Sequence, residues 1–195
     1  SDKIGHVRVE TGSVVASTGT VALQVNNVPG NKNLVLESVV ISTSAGTGLG
    51  ALAEVINKNS DAIGGIKASF VVETTGSGAV AATGVICGLT INGVAIGILN
   101  DIQANDRDGK LVNAINARKE ETGVQASVDY NGRLHLTAID GRGINIQGTA
   151  STAMSVAGAA NSLSGIFGVA VRAGSADERP DEAGLAHFVE HTIFK

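Results

Sequence analysis

The chain has 195 residues, a formal net charge of −4, 16% charged residues and only 3% aromatic residues. No cluster of Lys and Arg is interleaved with aromatic residues, so we expect no nucleic-acid binding. Its most apolar stretch, residues 79–89, is short and interrupted by glycine, so we expect no membrane insertion. Cys87 is the single cysteine, which excludes an internal disulfide, and we interpret it as a buried structural thiol.

The first part of the chain predicts several short strands and one helix. Strand-like residue types, in places alternating between apolar and polar, predict five strands: residues 6–9, 14–17, 21–28, 34–42 and 66–74. Pro29-Gly30 predicts a turn between the third and fourth strands. Between the last two, apolar residues recur at helical spacing and predict a buried helix face: Leu49, Leu52, Ala53 and Ile56.

Two hairpins and a second helix are predicted in the following part. Asn92-Gly93 and Asn131-Gly132 are dipeptides typical of tight turns between antiparallel strands. The strand pair around Asn92-Gly93 is predicted at residues 89–98, and the strands joined by Asn131-Gly132 at residues 124–130 and 133–139. A last short strand is predicted at residues 144–147. The intervening helix carries an apolar set and ends at Thr122-Gly123; that set is Leu111, Val112, Ala114 and Ile115.

A repeated motif organises these elements. Gly50-x-Leu52-x-x-x-Ile56-Asn57 returns as Gly109-x-Leu111-x-x-x-Ile115-Asn116, and each copy is followed by a strand of similar sequence. One copy alone buries little apolar surface, so two copies are expected to share a core. We therefore predict an α+β fold with two repeated β-rich units, each with a short helix packed on its sheet, plus a C-terminal strand-helix segment. The predicted divisions are units at 1–78 and 79–148, an Ala/Ser/Thr/Gly-rich linker at 149–165, and the terminal segment at 166–195.

Three stretches resemble one protein family. Residues 1–13, residues 36–58 and residues 89–144 are similar to the central region of bacterial flagellins, most of all those of Campylobacter and Helicobacter. The resemblance implies an extracellular structural domain that projects from the flagellar filament and serves motility. It also implies other flagellin subunits as partners in the full-length context, exposure to antibodies or host receptors, and O-glycosylation of Ser and Thr. Polymerisation in that family belongs to long terminal helices, which this sequence lacks.

The last thirty residues carry a different motif, His187-x-x-Glu190-His191. On a helix, His187 and His191 lie one turn apart on the same face, where both imidazoles reach one Zn²⁺. Glu190 lies beside that face and is suited to deprotonate a zinc-bound water. The flanking residues 168–178 and 184–195 extend a resemblance to the pitrilysin/insulinase zinc peptidases.

This second resemblance implies His187 and His191 as metal ligands and Glu190 as the catalytic residue. The family takes its third zinc ligand from a Glu far downstream, which this sequence does not contain. We therefore expect no enzyme activity and no cofactor, with zinc at the two histidines as the alternative. The simplest alternative is an amphipathic helix with Leu185, Phe188 and Val189 packed inward. A surface adhesion or binding module built on the repeats is a further alternative to the flagellin interpretation.

Two weaker motifs have simpler explanations. Gly46-x-Gly48-x-x-Ala51 follows a strand and precedes a helix, as a dinucleotide-binding fingerprint does, but helix entry in a Gly-rich chain is favoured. The sequence from Asp106 to Gly109 is similar to a calcium loop but fails its register, so Asp106 or Asp108 is predicted as a helix N-cap. His6 and His135 are predicted to lie on strand faces.

Overall fold

The computed structural model describes residues 18–148 completely and, of the flanking chain, only the backbone of His6–Glu10 and Ile166–Arg172. The strands of the described chain are β1 His6–Glu10, β2 Gly19–Val21, β3 Gln24–Val28, β4 Lys32–Val35, β5 Val39–Ile41, β6 Lys67–Val71, β7 Glu73–Thr75, β8 Thr83–Ile91, β9 Val94–Ile102, β10 Val124–Val128, β11 Leu134–Ala138, β12 Ile146–Gln147 and β13 Ile166–Arg172. The helices are α1 Gly48–Lys58, α2 Lys110–Asn116 and α3 Lys119–Thr122, with 3-10 turns at Ser60–Ile63 and Ala104–Asp106.

These strands pair antiparallel in several small sheets. Three sheets have three strands each, in the orders β1-β13-β6, β10-β11-β7 and β12-β8-β9, while β2 pairs with β5 and β3 with β4. Helix α1 packs on β5 and β6, and α2 packs on β9 and β10. The predicted α+β fold with short helices packed on sheets is confirmed.

Helices α1 and α2 are held to the core by the apolar faces that their sequences predict. In α1, Leu49, Leu52, Ala53 and Ile56 are buried. In α2, Leu111 and Ile115 are fully buried, while Val112 and Ala114 are partly buried against the same core. The core is made almost entirely of Ile, Leu, Val and Ala, as a chain with few aromatic residues requires.

Three predicted strands are each divided in two because they change partner. Residues 21–28 and 34–42 cross near Leu23 and Leu36, whose backbone groups are joined by a hydrogen bond from Leu36 N to Leu23 O of 2.8 Å. On one side of this crossing β3 pairs with β4, and on the other β2 pairs with β5. The third predicted strand divides at the buried Val72, where β6 gives way to β7. Residues 14–17, predicted as a strand, lie outside the described residues.

The sequence repeat is also a structural repeat. The Asn57 side chain donates from Nδ2 to Ala68 O at 2.9 Å and accepts from Ala68 N at 2.8 Å. Asn116 makes the same pair of bonds to Ala126, at 3.0 and 2.7 Å. Each asparagine therefore clamps its helix onto the strand that follows, so α1–β6 corresponds to α2–β10.

The two repeats differ in where that strand finds its antiparallel partner. In the second repeat β10 pairs with β11, which follows it through one tight turn. In the first repeat β6 pairs with β13, which comes after the whole second repeat. The second repeat is thus inserted between a strand and its partner. In addition, β7 pairs with β11, so strands from both predicted units share one sheet. The division of the chain at residue 78 stays a prediction.

Candidate functional site

The predicted zinc-site residues His187, Glu190 and His191 lie outside the described residues. Within the described ranges, no group of three or more His, Cys, Asp or Glu side chains is arranged to hold a metal ion. The helices of these ranges are also too short, or not apolar enough, to span a membrane. The other two candidate motifs, at residues 46–51 and 106–109, lie within the described residues.

The glycines in the first turn of α1 make room for protein backbone. A Cβ on Gly48 would lie 2.8 Å from Arg142 Cα, and Gly50 N approaches Gly141 O at 3.4 Å. In a dinucleotide site, the space before the helix would be open to a phosphate. Here residues 140–143, which we call the latch loop, occupy it. The interpretation of this motif as a helix entry is confirmed, since α1 begins at Gly48.

Arg142 fastens the latch loop to the second repeat, and the backbone of Gly143 joins the loop to the first. Its side chain is 9% exposed, and Nη2 and Nε lie 2.6 and 2.7 Å from Asp140 Oδ2. Nη1 donates to Glu121 O at 3.2 Å, and Gly143 N donates to Ser42 O at 2.8 Å. The guanidinium packs directly against Gly123, where a Cβ would overlap it. The latch loop therefore connects the start of α1 with the end of α3. The buried guanidinium charge of Arg142 is balanced by the carboxylate of Asp140.

A cleft of ≈ 630 Å³ lies between α1 and β6, beside the latch loop. Its rim carries the carboxylates of Glu54 and Asp140, and its lining otherwise consists of Phe70, Asn57, Ser69 and several Gly and Ala residues. Asp140 is already paired with Arg142. The lining contains Ser69 but no His, Cys or Lys, and its carboxylates are those of Glu54 and Asp140.

The loop before α2 caps that helix and lies beside the positively charged side chain of Lys110. Asp106 Oδ1 and Oδ2 accept hydrogen bonds from Leu111 N and Val112 N at 3.0 and 2.9 Å. Asp106 thus caps the helix, although Gly109 holds the N-cap position. The Lys110 ammonium donates to Asn100 O and Asp101 O, both at 3.1 Å.

The same ammonium lies 3.3 Å from Asp108 Oδ2. Both carboxylate oxygens of Asp108 are buried, and Lys110 is their partner in an ion pair. Burial alone would raise the pKa of Asp108, but Lys110 outweighs burial and the pKa is lowered. The positive charge beside the loop before α2 is therefore supplied by the protein's own Lys110 ammonium.

The prediction of a buried Cys87 is wrong, because its thiol is exposed. The β8–β9 ladder shifts register between Ile86 and Leu89. Ile86 and Leu89 therefore both face the core although they are three residues apart, and Cys87 lies on the outer side between them. Sequence alternation alone does not reveal such a bulge.

The position of His135 on a strand face is confirmed. It lies on β11, where Nδ1 is 2.8 Å from Thr75 Oγ1 and Nε2 is 3.4 Å from Glu73 Oε2. These contacts join β11 to β7, and within the described chain His135 and Glu73 are not part of a group of three or more potential metal ligands. His6 lies in β1, of which only the backbone is described.

The β10–β11 turn is rigid and presents one exposed aromatic ring. Asp129 Oδ1 accepts from Asn131 N and Arg133 N, each at 2.9 Å, and Oδ2 accepts from Arg133 Nε at 2.8 Å. Tyr130 at the tip is 96% exposed. The backbone N–H of Arg133, more than its charge, holds the pKa of Asp129 below its usual range.

Acid is expected to destabilise this turn. Because the pKa of Asp129 is lower in the folded protein than in the unfolded chain, its stabilising contribution is complete above the unfolded pKa of ~3.9. It is lost as pH falls through the folded pKa. Urea unfolding at pH 7 and pH 3 should show a smaller loss of stability for Asp129→Asn than for wild type. The exposed Asp61→Asn is the control, and an equal loss in wild type and Asp129→Asn would contradict the assignment.

Comparison with known families gives two matches in different parts of the chain. The flagellin hook IN motif family matches residues 20–84 and 88–140. The insulinase family, peptidase family M16, matches residues 157–195, which include β13. The first match covers both structural repeats.

Individual relatives agree with the first match. Flagellin A of Helicobacter felis is 50% identical over 165 residues, which is 85% of this chain and 32% of that protein. Flagellin A of Helicobacter pylori is 52% identical over 147 residues, 75% of this chain and 28% of that protein. Flagellin B of Helicobacter pylori is 47% identical over 178 residues, 86% of this chain and 34% of that protein. The chain spans about a third of the length of these relatives.

Proposed function

The chain belongs to the flagellin hook IN motif family, and from this membership we propose that it is a structural, surface-exposed outer domain of a bacterial flagellin. In that role it lies on the extracellular face of the flagellar filament and serves motility. Its partners are other flagellin subunits, which it meets as part of a longer protein, and its outer loops are open to antibodies. The resemblance to Helicobacter flagellins is confirmed over most of the chain.

The observation that carries this proposal is the pairing of β1 with β13. His6 lies opposite Arg172 and Glu10 opposite Gly168, in an antiparallel ladder. The first and the last strands of the described chain therefore lie side by side. Adjacent ends let a domain be inserted into another without disturbing it. This is the geometry that an outer domain needs if the remaining two thirds of a flagellin build the filament.

The exposed Tyr130 turn gives a direct test. The chain would replace the matching region of Flagellin A from Helicobacter pylori, with an epitope tag inserted between Tyr130 and Asn131. We expect filaments to assemble and intact filaments to be decorated along their length by an antibody to the tag. A matched graft with the tag between the buried Leu134 and His135 should fail to present it. Absence of filaments, or labelling only after depolymerisation, would overturn the proposal.

We further propose that the peptidase-like segment has no enzyme activity and no resident cofactor in this chain. Two imidazoles without a fixed third ligand hold Zn²⁺ weakly, because structural sites use four protein ligands and catalytic sites three. After dialysis, metal analysis should find well under one zinc per chain and no difference between wild type and His187→Ala. Stoichiometric zinc that is lost in His187→Ala would instead favour the metallopeptidase alternative, with Glu190 as the base and His191 as second ligand.

A further inference from the structure

The sheet β1-β13-β6 is completed by its central strand, β13. Its central strand β13 pairs with β1 on one side, Val169 opposite Val9, and with β6 on the other, Val169 opposite Ala68. A chain without β13 would leave a slot with a strand edge on each side. Such a slot binds an extended segment through backbone hydrogen bonds, which depend little on sequence.

β13 falls in a different family match from β6, the strand that it pairs with. The flagellin family match ends at residue 140, whereas β13 lies inside the stretch that matches the insulinase family. A strand that resembles a different family nevertheless completes a ladder of five residue pairs with β6. The strand equivalent to β13 in the second repeat is β11, and the flagellin family match covers all of β11.

The two equivalent strands also differ in how they are tethered. β11 is held next to β10 by the turn that Asp129 fixes. Residues 148–165 separate β12 from β13, and a chain of that length can span at most roughly 60 Å at ~3.3 Å per residue. A long connection of this kind lets a strand reach the slot of another molecule, since the same contacts form within or between chains.

We propose that the slot between β1 and β6 is a strand-acceptor site whose partner is a second copy of this chain, supplying its own Ile166–Arg172. Two copies then exchange β13 reciprocally. The exchanged dimer has the same strand contacts as the closed monomer, so the protein concentration determines which of the two forms dominates. For an intrachain effective concentration on the order of 1 mM, closed monomers dominate in dilute solution and exchanged dimers in crowded conditions.

Disulfide trapping distinguishes the two arrangements. Lys67→Cys and Ala170→Cys lie opposite each other across β6 and β13, in a Cys87→Ser background. Facing Cα atoms in antiparallel strands are ~4.5–5.5 Å apart, which suits a disulfide. The matched control is Gln125→Cys with Thr137→Cys, the corresponding pair across β10 and β11.

Both full-length variants would be equilibrated at ~10 µM and ~1 mM, oxidised, and separated without reductant. We expect the Lys67/Ala170 pair to shift from almost entirely intrachain disulfide to roughly half covalent dimer. The Gln125/Thr137 control should stay monomeric at both concentrations. A second pair, Val7→Cys with Val171→Cys across β1 and β13, replaces the first if that variant fails to fold. Intrachain disulfides alone at both concentrations, no disulfide in either pair, or equal dimerisation of the control would overturn the proposal.

Discussion

Replacing Gly50 with alanine is expected to lower the free energy of unfolding by about 2 kcal/mol or more, despite the better helix propensity of alanine. Gly50 lies inside α1, and its new Cβ would overlap Asp140 O and come within 2.7 Å of Asp140 C. Those atoms are backbone of the latch loop, which cannot move without releasing Arg142. Chemical denaturation of Gly50→Ala measures the loss directly.

Gly84→Ala is the control for this prediction. Gly84 lies in β8 with no atom within 4 Å of a built Cβ, and its backbone is not left-handed. Its stability should change by no more than ~0.5 kcal/mol. If Gly50→Ala is as stable as Gly84→Ala, or more stable than wild type, the close packing of α1 on the latch loop is incorrect.

Loss of the Asn116 clamp should have a comparable effect. Asn116→Ala leaves Ala126 N and Ala126 O without their side-chain partner at a site where Ala126 is only 3% exposed. Each buried backbone group left unpaired costs about 1–3 kcal/mol, so the two groups together should cost about 2 kcal/mol or more. Asn57→Ala should cost a similar amount, because it removes the same two bonds in the first repeat.

Asn113→Ala on the same helix separates the clamp from helix propensity. Asn113 is exposed, and alanine is the better helix former, so its stability should change by less than ~0.5 kcal/mol. The comparison uses thermal and urea unfolding of all three variants. Equal stabilities for Asn116→Ala and Asn113→Ala would rule out the clamp as a significant contribution.

The features that the sequence predicts correctly are those with a local cause. The burial of Leu52 and Ile56 follows from helical spacing, and the turn at Asn92-Gly93 joins β8 to β9 as its residue types indicate. The repeated Gly and Asn positions also have a physical meaning that the motif alone does not give. Only the structure shows that the glycine admits the latch loop and that the asparagine bonds the next strand.

The missed features depend on residues far apart in the chain. Nothing near Phe70 indicates that its strand pairs with Phe167, and alternation within residues 21–28 does not predict a change of partner. The exposed Cys87 results from a bulge in β8, which the alternation of apolar and polar residues does not reveal. The pairing of Arg142 with the end of α3 likewise follows only from the three-dimensional arrangement. The roles predicted for His187, Glu190 and His191 stay predictions.

The insertion of the second repeat between β6 and β13 also sets the order of folding. Hairpins β8–β9 and β10–β11 close between neighbouring segments, so they form early and at low entropic cost. β6 waits for a partner that emerges from the ribosome about a hundred residues later. The repeat that is synthesised first is therefore completed last, and until then β1 and β6 carry open edges that other chains can pair with. A chain that stops before residue 166 keeps those edges permanently.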